Sequence, residues 1–398
     1  MKKILCYILL LSCIILASCN MEEKNKINHS NDLEEKIKED EKSEKDIIEE
    51  IIESMTLEEK VGQMIIGGFN GTKMNEELRN KILDKKLGGV ILFNRNITDR
   101  EQLLTLNNEL NKLNNKIGLF VSVDEEGGRV SRLPKDKIPI PSSYKIGQLG
   151  NPDLCKDIGE VIGEELKMYG FNMDFAPVID IWSNKQNKVI GDRAFGNNAE
   201  IVSKCGVSMI KGFKEKNIIS VVKHFPGHGD TIMDSHKGLP VLEYGLEDLK
   251  KRELIPFIEA INNEVDGIMV GHLMLPQVDN SGYPASLSKI FIKDLLRNKL
   301  GYNGLIITDD MEMGAIKNNF GIKEASTKAV KAGVDILLVC HTEKSITAAT
   351  QSIIEAVKNQ SISLEQIEES VKRILKTKEK YGILDYEQFK LNVVDYKE

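Results

Sequence analysis

The sequence predicts an α/β fold, and within that class a single (β/α)8 barrel of TIM type. Three observations carry this. Eight apolar runs of strand length alternate with stretches whose apolar residues recur at three-and-four spacing. Such alternation produces a parallel sheet covered by helices. The length of 398 residues suits a barrel, which takes roughly 250 residues and up to 400 with insertions. Several runs also stop in clusters of Asp, His, Lys, Arg and Gly, where parallel α/β folds place their chemistry. An open doubly wound sheet is the other architecture that the alternation allows.

The N-terminus reads as targeting rather than fold. Lys2 and Lys3 precede an apolar run from Ile4 to Ala17, too short for a permanent membrane span. The run ends in Leu16-Ala17-Ser18-Cys19, which resembles a bacterial lipobox. This assigns residues 1–18 to a lipoprotein signal peptide and Cys19 to a lipid anchor. An ordinary secretory signal with an incidental Cys is the plainer alternative. Residues 19–45 are rich in Glu, Lys, Asn and Asp and cannot bury enough surface to offset chain entropy, so they read as an acidic disordered tether. The barrel domain is placed at 46–398. Thr56 and Glu59 have capping-box spacing at an early helix start.

The expected strands are Gln63–Phe69, Gly89–Asn94, Gly118–Asp124, Asn172–Pro177, Ile218–His224, Gly267–His272, Gly304–Asp309 and Asp335–His341. The expected helices include Glu76–Lys85, Arg100–Leu113, Asp153–Tyr169, Ala199–Lys216, Leu246–Asn262, Ser288–Lys299 and Lys323–Ala332. Two more, Glu343–Lys358 and Leu364–Tyr381, close the chain, the last capped by Ser363 and stopped at Gly382.

The formal charge of -7 is uneven. Residues 21–54 hold thirteen acids and six bases, whereas residues 55–398 hold 48 acids and 46 bases. The folded part is nearly neutral, which argues against nucleic acid as a partner. Cys155, Cys205 and Cys340 are scattered and odd in number. They read as small buried hydrophobes, not as a disulfide framework or zinc site.

Chemistry-bearing residues gather where strands end. The third run ends at Asp124 and continues Glu125-Glu126-Gly127-Gly128-Arg129-Val130-Ser131-Arg132. This suits polyol binding, since a carboxylate accepts hydroxyl protons and Gly admits a ligand to the backbone; a Gly-rich turn with solvated charges is the plain alternative. The fourth leads through Asp174 and Asp180 to Gly191-Asp192-Arg193, where Asp192 and Arg193 read as a structural ion pair or Arg193 as a donor fork for sugar oxygens. Trp182 is a sugar platform or simple packing. The fifth run ends in Lys223-His224-Phe225-Pro226-Gly227-His228-Gly229-Asp230-Thr231-Ile232-Met233-Asp234-Ser235-His236, with three of the six histidines. His272, after the sixth, reads as a core histidine, with a binding group as the other reading. The seventh ends at Thr308-Asp309-Asp310. Strict alternation lets only one of those aspartates face the axis, so the other should cap or pair elsewhere. Carboxylates, imidazoles and Arg/Lys donors without a phosphate cradle suit acetal hydrolysis.

These residues resemble glycoside hydrolase family 3. The motifs are DEEGGRVSRL, NMDFAPVIDI, IGDRAFG, KHFPGHGDTIMDSH and TDDMEM, and the resemblance runs from Met55 to Tyr381. It is closer to the β-N-acetylhexosaminidase branch. The resemblance implies a retaining mechanism with Asp309 as nucleophile, His236 as acid/base and Asp234 as its partner. It implies that Asp124, Arg132, Arg193, Lys223 and His224 hold the sugar, with no cofactor. The substrate class it implies is a terminal β-linked N-acetylglucosamine on peptidoglycan fragments or chitooligosaccharides. With the lipidated Cys19, the enzyme would sit on the outer face of the bacterial membrane. Glu125 departs from the pattern, since relatives often carry an amide there. A family 3 β-glucosidase-type specificity is an alternative. Another is a metal-dependent hydrolase using His224, His228, Asp230 and His236. A third is a sugar-binding lipoprotein without turnover.

Overall fold

The structure is a computed structural model that describes residues 47–113, 117–235 and 238–386. The expected signal peptide, Cys19, the tether and His236 lie outside the described residues. The chain divides into two compact units, Met1–Ser54 and Met55–Glu398. In the first, the described residues form a helix over 47–54 whose end is closed by Ser54 Oγ donating to the Ile51 carbonyl at 2.7 Å.

The second unit is the barrel. Its strands are β1 (Ile65–Gly68), β2 (Gly89–Ile91), β3 (Phe120–Val123), β4 (Met173–Asp174), β5 (Ile219–Phe225), β6 (Gly267–Val270), β7 (Leu305–Asp310) and β8 (Ile336–Val339). They pair in chain order, all parallel, and β8 closes on β1 with Ile65 opposite Leu337. All eight expected runs therefore form strands, and the barrel rather than the open sheet is the architecture. Strand residues are buried throughout, as a parallel sheet covered by helices requires, except that Asp309 is partly exposed.

Helix starts follow side-chain capping. Thr56 Oγ1 accepts from Glu59 N–H at 3.2 Å while Glu59 accepts from Thr56 N–H at 2.8 Å, completing the expected box. Ser363 accepts from Gln366 N–H at 3.2 Å, and Gly382 follows the last helix with φ 66°. The stretch expected as one helix, Leu246–Asn262, is two: Leu246–Lys251 and Ile255–Asn262. Pro256 is the reason. It lacks an N–H and is accommodated only in a first turn, so a helix must begin there. The Ile290–Lys299 helix is π-helical.

The N-terminal ends of the strands carry structural clamps. Lys378 is fully buried, donates to Gln63 Oε1 at 2.7 Å and to the Gly88 carbonyl at 2.8 Å, and burial pushes its pKa well down. Asp335, just before β8, holds Arg297 and Arg373. Asp266, before β6, accepts from Lys380 Nζ at 2.6 Å and Tyr381 Oη at 2.5 Å. This face of the barrel serves stability. The free cysteines Cys155, Cys205 and Cys340 are all buried, as expected.

Candidate active site

The opposite face, at the carboxyl ends of the strands, encloses a cavity of about 480 Å³. Asp124, Arg132, Arg193, Lys223, His224, Asp234 and Asp309 all line it. Every described residue of the expected site is thus brought to one place from β3, β4, β5 and β7. Glu126, His228, Asp310, Phe93 and His341 line it as well.

A buried charge network lines one side of the cavity. Lys223 Nζ lies 2.6 Å from Asp124 Oδ1 and 2.7 Å from Glu126 Oε1. Arg193 grips Glu126 with two parallel bonds, Nε to Oε2 and Nη2 to Oε1, both 2.8 Å. Burial alone would raise the Glu126 carboxyl, yet Arg193 and Lys223 hold it well below the usual range. The two cations are correspondingly held above their ordinary values, against the burial that pulls them down. Glu126 was not among the expected site residues. It lies inside the DEEGGRV motif, but nothing local distinguishes it from Glu125.

The two acids differ through their partners. Glu125 accepts from the amides of Arg132 at 2.7 Å and Leu133 at 3.1 Å and pairs with Lys137, so it braces the loop. The expected Asp192–Arg193 ion pair does not form. Arg193 belongs to Glu126, and Asp192 instead accepts from Arg129 Nε at 2.8 Å. The physical reason is burial: Arg193 is almost fully buried beside a buried carboxylate, while Asp192 and Arg129 sit half-exposed at the rim.

His224 Nδ1 bonds Asp180 Oδ2 at 2.7 Å, and Asp180 also accepts the His228 amide at 2.6 Å. Burial would raise Asp180, but the facing His224 brings its carboxyl below the ordinary value. His228 is locked between Thr231 Oγ1 at 2.7 Å and Ser235 Oγ at 3.2 Å. Burial and the neighbouring His224 lower its pKa to about 4, so it is neutral at neutral pH. Asp230 is held by Arg252 and Tyr244. His224 and the His228 backbone share Asp180, the His228 ring bonds Thr231 and Ser235, and Asp230 belongs to Arg252 and Tyr244, so the three residues do not converge on one coordination sphere. Among the described residues no three or more His, Cys, Asp or Glu side chains group as a metal site.

Gly227 has φ 126°, a conformation that favours glycine, and a Cβ on Gly229 would meet the Ile181 carbonyl at 1.8 Å. These glycines shape the loop and let it lie on the β4 loop. Trp182 packs on Val178, Ile190 and Ala194 and donates to the Asn187 carbonyl at 3.1 Å. It supports the loop and does not line the cavity.

At β7 strict alternation fails. The pairing with β8 shifts register between Ile307 and Asp310, and both Asp309 and Asp310 line the cavity. Asp310 nonetheless makes the pairing expected of the second aspartate. It accepts from the amides of Glu312 and Cys340, each at 3.1 Å, and meets His341 Nε2 at 3.0 Å. Its own amide donates to Asp309 Oδ1 at 2.8 Å. His272 is a core histidine as expected, between Ser286 and the Asp310 carbonyl. Beneath the site, burial raises the Asp174 carboxyl well above its usual range.

The family model for the glycosyl hydrolase family 3 N terminal domain matches residues 56–377. The chain belongs to glycosyl hydrolase family 3. Among its relatives in this family, Beta-hexosaminidase A of Pseudoalteromonas piscicida is 33% identical over 338 residues, 78% of this chain and 56% of the relative. The chain therefore spans little more than half of that protein. Beta-hexosaminidase of Neisseria gonorrhoeae is 36% identical over 277 residues, 68% of this chain and 75% of the relative. A family 3 beta-N-acetylglucosaminidase structure from Paenibacillus sp. superposes with a TM-score of 0.81 at 37% identity, covering 85% of this chain and 68% of that one.

Proposed function

We propose that this family 3 protein is a retaining β-N-acetylhexosaminidase that removes terminal β-linked N-acetylglucosamine. The carrying observation is that Asp309 and Asp234 line one cavity with Asp124, Arg132, Arg193, Lys223 and His224. The names of the relatives support the sugar class. In this reading Asp309 attacks the anomeric carbon and the bond to the leaving oxygen breaks as His236 protonates it. Asp234, two residues earlier, orients the imidazole as an aspartate does in a triad. The same imidazole then deprotonates water, which displaces Asp309 and restores the configuration. A histidine suits both steps because it titrates near neutrality. The buried Glu126 keeps Lys223 and Arg193 charged and fixed for the hydroxyls. Peptidoglycan fragments or chitooligosaccharides are the proposed substrates. Lipidation of Cys19 would anchor the enzyme on the outer face of the membrane.

Asp309→Asn tests the assignment. The variant should form no covalent glycosyl-enzyme with a fluorinated N-acetylglucosaminide, where the wild-type chain does. A variant that still labels refutes Asp309 as nucleophile.

A further inference from the structure

His341 has no role in the mechanism above, yet it lies at the cavity wall with half of its side chain exposed. It follows β8, and its backbone amide donates to Glu312 Oε2 at 2.6 Å. Thr342 donates to the same carboxylate from its amide at 3.0 Å and from Oγ1 at 2.7 Å. The tips of β7 and β8 are bolted together there. The ring of His341 adds a further link, with Nε2 3.0 Å from Asp310 Oδ2. Its other nitrogen, Nδ1, lies 3.5 Å from Arg95 Nη1. Arg95 is itself fixed, donating through Nε to the Phe69 carbonyl at 2.9 Å and through Nη2 to the Cys340 carbonyl at 2.5 Å. The ring also stacks on Phe93, with centroids 5.7 Å apart. It is held in one orientation from three sides.

A chain of contacts therefore runs from Arg95 through His341 to Asp310, whose amide ends on Asp309 Oδ1 at 2.8 Å. We propose that His341 is a positioning residue for the nucleophile: it holds Asp310 so that the Asp310 N–H fixes the rotamer of Asp309. This deepens the glycosidase reading and rests on it. The charged groups facing the ring are Asp310 on β7, Glu312 in the turn after it, and Arg95 in the turn after β2. The hydrogen bond to Asp310 raises the His341 pKa, opposed by burial and by Arg95. Its protonation thus changes the charge beside the two aspartates at a pH above 6.5.

The test uses the full chain, with His341→Ala and His341→Gln. Gln restores a donor toward Asp310 but does not titrate. For the alanine variant kcat should fall about tenfold on both an aryl N-acetylglucosaminide and a disaccharide, with KM little changed, since a misplaced nucleophile slows bond formation whatever the leaving group. The glutamine variant should regain most of that loss. In both variants the pH profile of kcat should lose an inflection that wild type shows above 6.5. Kinetics within twofold of wild type in the alanine variant overturn the proposal. So does a loss confined to KM or to the disaccharide, which would make His341 an aglycone contact. Absence of turnover by wild type overturns the glycosidase reading and this inference with it. Wild-type turnover that ignores His341 overturns the inference alone.

Discussion

Replacing Glu126 with Gln isolates what holds the Arg193–Lys223 side of the cavity together. Glu126 is 3% exposed and faces Arg193 through two 2.8 Å bonds and Lys223 at 2.7 Å. The glutamine keeps the shape but loses the charge. Lys223 retains Asp124 at 2.6 Å, so the cation stranded most completely is Arg193. Breaking a buried pair on one side costs about 3–5 kcal/mol, because the remaining charge stays desolvated. At about 2 °C per kcal/mol for a large domain this lowers the melting temperature by about 6–10 °C. The sign with pH follows from the depressed carboxyl. A group whose folded pKa lies below its unfolded value stabilises fully above the unfolded value, about 4.3 for Glu, and loses that contribution as pH falls toward the folded one. The gap between variant and wild type should therefore stay constant from pH 8 to about 5 and narrow below that. Melts by circular dichroism across this range measure it. A variant melting within about 1 °C of wild type at pH 7 refutes the reasoning, as would a gap that widens in acid.

His236→Ala should slow disaccharide hydrolysis more than that of aryl glycosides with good leaving groups, because acid assistance matters least when the aglycone departs unaided; equal losses in paired kcat/KM measurements would exclude an acid role. His228, with a pKa of about 4 against 6.5 unfolded, takes up its proton late in the native state. Stability should consequently fall by about 3 kcal/mol between pH 6.5 and 4, and urea titrations of His228→Asn should show a flatter pH dependence. Gly229→Ala must move either its own loop or the Ile181 backbone, which a Cβ would meet at 1.8 Å. It should destabilise by about 2 kcal/mol or more and lower activity together, read from unfolding curves and turnover.

The strands were legible because most are runs of apolar residues buried on both faces. The carboxyl ends of six were overestimated for the same reason, whereas β5 and β7 run one residue past the expected end, to Phe225 and Asp310. Cys340 is buried and continues the apolar run of β8, but ladder pairing stops at Val339. Hydrophobic pattern reports burial, and burial outlasts hydrogen bonding at a barrel mouth. The expected site was legible because its residues sit in short motifs at strand tips, and Asp124, Arg132, Arg193, Lys223, His224, Asp234 and Asp309 do share one cavity. Asp180 and His341 were not legible, since their importance lies in a partner on another strand.

By itself the sequence determined the α/β class, the runs that become strands and the tips that carry chemistry, because periodicity and strand-end composition are local properties of the chain; closure of β8 on β1 into a barrel was settled by the structure. Only the tertiary structure decided which charge meets which. Arg193 pairs with Glu126 across 67 positions and not with the adjacent Asp192, while Asp192 reaches Arg129 across 63. His224 finds Asp180 across 44. Such choices are made by burial: a desolvated cation takes the desolvated carboxylate that closure of the barrel sets beside it, and no spacing along the chain records that distance.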